Sequence, residues 1–242
     1  AAIDVWEQEP VPTDHPLAHH PLVIATPHLG ASTEEAQIGV AIDIAEQIVD
    51  VMQGRAARAA VNMPSLPADM LSKTAPFLRL AERIGSMQSQ LSSTGIVAMD
   101  VLYEGDFAQN QIIHITRALM KGLLSPVLAS AVNYVNAPAL AQQRGIQLTE
   151  ARREESGNPE YRNLITIRAT ARSGKSSIIS GTVFGASDIR IVSIDGYAVD
   201  FKPEGCHIIT RHTDRPGIVG RVGTLLGNNG VNIAGMYLGR AM

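Results

Sequence analysis

The sequence predicts a multidomain chain of mixed α/β and α+β class, on three observations. Near the start, two short continuous apolar runs (residues 1–6 and 22–26) precede a long helix-period segment. That order suits the end of a doubly wound sheet whose strands are covered on both faces. The middle alternates helix-period stretches with β-like runs separated by turn signals, the texture of an α+β domain. The last stretch reads strand, helix, strand, which is half of a small ferredoxin-like unit.

Each element has a local reason. Ser32-Thr33-Glu34-Glu35 reads as a capping box, with Ser32 at N-cap and Glu35 at N3. Val40, Ala41, Ile44, Ile48 and Val51 keep the helical period and Gly54 stops it, so a helix is expected over 33–53. Residues 55–67 hold two prolines and form a plausible boundary. A helix over 73–91 carries Phe77, Leu80, Ala81, Ile84, Met87 and Leu91 on one side. A strand over 96–103 and a helix over 111–123 follow. Then come β-like runs at 146–151, 164–171, 178–184 and 188–194, with Ser173-Gly174 and Asp195-Gly196 as hairpin turns. In the tail, 207–210 reads as a strand that begins beside Cys206, taken as a small core residue. Asp214-Arg215-Pro216-Gly217 opens a helix with an Asp cap and an early proline. Ile218, Val219, Val222, Leu225 and Leu226 make its apolar face, and 231–238 is the next strand. The expected domains are 1–66, 67–203 and 204–242.

Composition narrows the function classes. Twenty Lys+Arg against 23 Asp+Glu leave a net charge of −3, and aromatics are 4% of residues, so neither a nucleic-acid binder nor a polybasic membrane binder is expected. Hydrophobic residues at 45% supply packed cores. A single cysteine excludes an internal disulfide and fits a reducing, cytoplasmic compartment. The chain opens inside an apolar run without an initiator Met and ends just after another, so it reads as an internal fragment.

Asp4, Glu9 and His28 form the first chemical constellation. A histidine titrates near neutral pH, and here it precedes the N-terminus of a long helix, where sites of open α/β sheets gather. A carboxylate such as Glu9 can orient the imidazole and raise its pKa, making it a general acid. By spacing alone, a solvated or structural histidine is the commoner outcome. Gly174-Lys175-Ser176 mimics a phosphate loop but fails at Ala169, and His15 and His19 lie in a proline-bearing loop unsuited to a metal.

The pieces Asp4-Val5, Glu9-Pro10 and Thr26-Pro27-His28-Leu29-Gly30-Ala31-Ser32-Thr33 resemble, in order and separation, the end of the Rossmann-like nucleotide-binding domain of the NAD-dependent D-2-hydroxyacid dehydrogenases. The resemblance implies that His28 is the catalytic acid/base and Glu9 its partner. It also implies that Asp4 contacts the nicotinamide end of NAD, with His28, Leu29, Gly30 and Ala31 lining the same pocket. No G-x-G-x-x-G occurs, so the chain alone is expected neither to bind NAD well nor to turn over.

The stretch IITRHTDRPGIVGRVGTLLGNNGVNIAGM is similar to the first half of an ACT regulatory domain, which implies an L-serine site at His212, Asp214 and Asn232. An ammonium suits Asp214, Asn232 can donate and accept, and helix-start N–H groups can take a carboxylate. Residues 68–203 are similar to the intervening domain of the long-form phosphoglycerate dehydrogenases, in which some members bind an anion. Arg152, Arg153 and Lys175 are possible contacts, with a solvated face the simpler account. The domain order implies oxidation of 3-phosphoglycerate with NAD, serine feedback and a homo-oligomer. Another D-2-hydroxyacid dehydrogenase, or a non-catalytic regulatory or oligomerisation fragment, stays open at this point.

Overall fold

The computed structural model describes residues 1–52, 61, 68–107, 109–128, 132–213 and 215–239. The chain divides into two units, Ala1–Val61 and Asn62–Met242.

In the first unit, β1 (Ala2–Ile3) pairs in parallel with β2 (Ile24–Ala25). The long connection between them is the proline- and histidine-rich loop, and α1 (Glu34–Met52) follows β2. Its cap lies one residue later than the sequence reading placed it. Ser32 is still inside a turn, its N–H donating to the Leu29 carbonyl, whereas Thr33 Oγ1 accepts from the Ala36 N–H at 3.2 Å. Thr33 is therefore the N-cap, and Glu34 and Glu35 fill the first turn, where negative charge suits the positive helix end. Ile24 and the α1 residues Ile38, Val40, Ile44 and Ile48 are exposed in the described structure, so the covering expected on both strand faces is not present there.

The second unit is built on a six-stranded mixed sheet in the order β4-β3-β5-β6-β7-β8. The helix α2 spans Ala68–Leu91, starting earlier than the expected 73–91, with Pro76 inside it. A proline costs the helix interior one backbone hydrogen bond. β3 (Ile96–Glu104) leads to α3 (Gln109–Leu124) and to α4 (Ala137–Gln143), a short helix that the sequence reading did not assign. β4 (Gln147–Arg153) returns parallel to β3, as a helical crossover requires. β5 (Leu164–Ala171), β6 (Ser176–Phe184), β7 (Asp188–Ile194) and β8 (Tyr197–Phe201) then run as antiparallel neighbours. The β7–β8 turn is Asp195-Gly196, both at positive φ (51° and 83°), as a two-residue hairpin of matching twist needs.

The core lies between the sheet and the helix pair: Leu80, Ile84, Met99, Val101, Tyr103, Ile115, Leu119, Ile165, Ile167, Ile179 and Ile191 are buried. Each such aliphatic side chain contributes about 1.5–3 kcal/mol by leaving water. The helices α2 and α3 cross closely at two glycines. A Cβ on Gly122 would stand 1.9 Å from the Glu82 carbonyl oxygen, and one on Gly85 2.2 Å from that of Leu119.

The tail departs from the expected strand-helix-strand. Among its described residues only α5 (Ile218–Asn228) forms, with Gly217 at its N-cap at φ 87° and no side-chain cap. Asp214, expected as the cap, lies outside the described residues. Residues 207–210 and 231–238 carry no strand, and Cys206 is exposed rather than packed. In a split βαβ unit the two parallel strands flank a third. Among the described residues no strand fills that slot, so neither segment has a ladder.

Candidate functional site

The two parallel strands of the first unit fix this site by register. Ile3 is the partner of Ala25, and the Thr26 N–H donates to the Ile3 carbonyl. Asp4 and Thr26 thus stand side by side where the strands end. The Thr26 hydroxyl donates to Asp4 Oδ1 at 2.5 Å. The same carboxylate accepts the Leu29 N–H at Oδ1 and the Gly30 N–H at Oδ2, both at 2.7 Å. These bonds hold the Asp4 carboxyl below its ordinary range, the Thr26 hydroxyl most strongly and the Leu29 N–H next. Gly30 suits this close approach, since a Cβ there would meet Asp4 Oδ2 at 3.1 Å.

His28 lies inside this stapled turn at φ 63°. A left-handed backbone costs a non-glycine residue on the order of 1–3 kcal/mol and persists only where its surroundings enforce it. Its Nδ1 faces both oxygens of Glu9, at 3.0 Å from Oε1 and 2.8 Å from Oε2. An ionised carboxylate only accepts, so Nδ1 carries the proton and Nε2 is left to exchange one. Among the described residues Nε2 has no hydrogen bond, and the side chain is 54% exposed, open to a substrate. The hydrogen bond that His28 donates to Glu9 raises the His28 pKa, and the charge of Glu9 adds to the effect. Glu9 is correspondingly lowered, by His28 first and then by the Trp6 N–H, which donates to Oε1 at 3.1 Å.

All the expected residues of this constellation gather here. Glu9 meets the His28 ring, and Asp4 meets the Leu29-Gly30 backbone, with Ala31 following in the same turn. The sequence reading gave no role to Thr26 or Trp6. The Trp6 indole N–H donates to the Thr26 carbonyl at 3.0 Å, tying the Glu9 loop to the end of β2. Thr26 heads the run that carries the family resemblance, but its contact with Asp4, like that of Trp6 with Thr26, comes from the strand register.

The tail residues are not gathered in the same way. His212 Nδ1 contacts the neighbouring Thr213 carbonyl at 3.2 Å, and His212 and Asn232 are exposed. Among the described residues no hydrogen bond joins them. In the second unit, polar groups are spent on packing. Lys121 Nζ bonds Glu82 Oε1 at 2.7 Å and stands over the Tyr134 ring, whose hydroxyl donates to Glu82 Oε2 at 2.9 Å. Burial there, with Glu82 alongside, pushes the Tyr134 phenol up to about 12. No group of three or more His, Cys, Asp or Glu suited to a metal occurs among the described residues. No helix among them is long and apolar enough to cross a membrane.

Comparison with known proteins finds a family match within each unit. Residues 73–195 match the profile of the D-3-phosphoglycerate dehydrogenase intervening domain. Residues 1–30 match that of the D-isomer specific 2-hydroxyacid dehydrogenase NAD binding domain. Proteins called D-3-phosphoglycerate dehydrogenase are similar along nearly the whole chain. The Methanocaldococcus jannaschii protein is 43% identical over 99% of this chain and 45% of its own length. That of Archaeoglobus fulgidus is 42% identical over 100% and 45%, and that of Bacillus subtilis 40% over 99% and 45%. The chain spans a little under half the length of these relatives.

Proposed function

The chain belongs to the D-3-phosphoglycerate dehydrogenase family, and from that premise we propose that a full-length protein carrying it oxidises the 2-hydroxyl of 3-phospho-D-glycerate to 3-phosphooxypyruvate. The cofactor is NAD, which supplies the hydride acceptor when bound. The observation that carries the reading is the His28–Glu9 pair, with Nδ1 held by the carboxylate and Nε2 open.

His28 takes the hydroxyl proton at Nε2 as the alcohol is oxidised, and Glu9 stabilises the imidazolium that results. In the reverse direction the raised pKa keeps the ring protonated and ready to donate. Asp4 Oδ2 accepts only the Gly30 N–H among the described residues and keeps a lone pair for an amide N–H, which suits the carboxamide of a nicotinamide. The Leu29-Gly30-Ala31 backbone lines the same side of His28. The choice of 3-phosphoglycerate is supported by the family and by the names of the relatives.

L-Serine acts as the effector through His212, Asp214 and Asn232, and the protein works as a homo-oligomer. These last two statements rest on the resemblance of the tail and of the domain order. The domain limits 1–66, 67–203 and 204–242 belong to the same reading.

The test is NADH formation by the full-length protein with 3-phosphoglycerate, with and without L-serine, and with glycerate and lactate as controls. Serine-suppressed turnover of 3-phosphoglycerate is expected. Turnover of another hydroxy acid alone would remove the substrate assignment. His28→Ala should abolish most turnover, by about 10²- to 10⁴-fold, while NADH binding measured by fluorescence stays close to wild type.

A further inference from the structure

The turn that carries His28 is held by a carboxylate, and that carboxylate is itself held by one hydroxyl. Thr26 ends β2 beside the end of β1, half-buried, with its backbone N–H fixed by Ile3 and its carbonyl by the Trp6 indole. Its side chain therefore points at Asp4 as a consequence of strand pairing. Among the described residues, the hydroxyl bond is the one that Asp4 accepts from a side chain. The other two clamp the backbone on the far side of His28. Trp6, which anchors the Thr26 carbonyl, also donates its backbone N–H to Glu9. One short strand end thus reaches both partners that define the ring: the clamp behind it and the carboxylate at Nδ1.

We propose that Thr26 is a positioning residue for proton transfer at His28, its hydroxyl locking the Asp4 carboxylate onto the Leu29 and Gly30 N–H groups so that the ring stays seated on Glu9. Removing the hydroxyl leaves Asp4 Oδ1 with the Leu29 N–H alone, and a lost hydrogen bond to an ionised group costs more than one between neutral partners. The carboxylate then turns toward water, the clamp loosens and the left-handed backbone at residue 28 relaxes. The ring moves off Glu9 and its Nε2 off the path of the transferred proton. Glu9 and Asp4 are the charged groups acting on the ring, and both raise its pKa.

This inference rests on the proposed dehydrogenase reading for its catalytic readout, and a second readout is independent of it. In the full-length protein, Thr26→Val should lower kcat by roughly 10- to 100-fold, the scale of a small misplacement of a reacting group. In the same variant the His28 ring, followed by NMR and assigned with His28→Gln, should titrate closer to an ordinary imidazole than in wild type. Thr26→Ser, which keeps the hydroxyl, should restore both properties. Should the valine variant not fold, Thr26→Ala takes its place with the same readouts.

A hydroxyl-free variant with wild-type kcat and wild-type ring titration would overturn the proposal. So would a serine variant as impaired as the valine one, since side-chain shape and not the hydroxyl would then be responsible. If the wild-type protein oxidises no hydroxy acid, the functional reading fails, and the ring titration alone still decides the role of Thr26.

Discussion

Glu9 governs when His28 can act. The carboxylate raises the imidazole pKa, so the base form needed for alcohol oxidation appears only above that raised value. Glu9→Gln removes the charge and brings the ring toward its ordinary range. The acid limb of kcat/KM for oxidation should therefore move to lower pH, and the alkaline fall of the reductive reaction should move to lower pH with it. The maximum should fall as well, because Gln offers the Nδ1–H only one acceptor oxygen. Rate–pH profiles in both directions check this, and profiles superimposable on wild type would remove Glu9 from the mechanism. His28 and Glu9 were legible in the sequence through the resemblance of the Glu9-Pro10 and Thr26–Thr33 pieces to the D-2-hydroxyacid dehydrogenases, since spacing alone favours a solvated histidine. The role of Thr26 was not legible, although the residue heads the same run, since its contact with Asp4 follows only once Ile3 is known to pair with Ala25.

Close helix contact sets the tolerance of the second unit. Gly122 has the Glu82 carbonyl where a Cβ would be, so Gly122→Ala must part α2 from α3 and open the layer around Leu80, Ile84 and Leu119. A loss of roughly 1–3 kcal/mol or more is expected from such overpacking, read as a lower Tm in thermal unfolding. Gly39 in α1 has nothing within 4 Å of its would-be Cβ. Gly39→Ala should therefore cost nothing and gain about 1 kcal/mol of helix propensity. Equal effects at the two positions would contradict the packing account. The helices α2 and α3 were readable from apolar periodicity. The α4 helix was not, because seven residues give the period too little length to register. The tail strands failed for a different reason: apolar runs specify strands only where a neighbouring strand is present to ladder with them.

Across the whole chain, stability is unevenly distributed. The sheet and the α2–α3 pair of the second unit share one buried core, whereas α1 exposes Ile38, Val40, Ile42, Ile44 and Ile48. Hydrogen exchange on the 242-residue chain should protect amides of β3, β5, β6 and α3 most strongly, and those of α1 weakly. Comparable protection in both would show that α1 is covered in solution by something absent from this structure.

The Asp4 clamp also bears on how the site comes into being. Its bonds join residues separated by 22, 25 and 26 positions, and the His28–Glu9 bond spans 19. Closing loops of that size costs chain entropy before any bond is gained. A peptide covering only the turn around His28 would contain neither Asp4 nor Glu9 and could not hold the histidine in its left-handed state. The reactive geometry thus arises only after β1 and β2 have paired, so the His28 ring signal doubles as a reporter of native strand pairing.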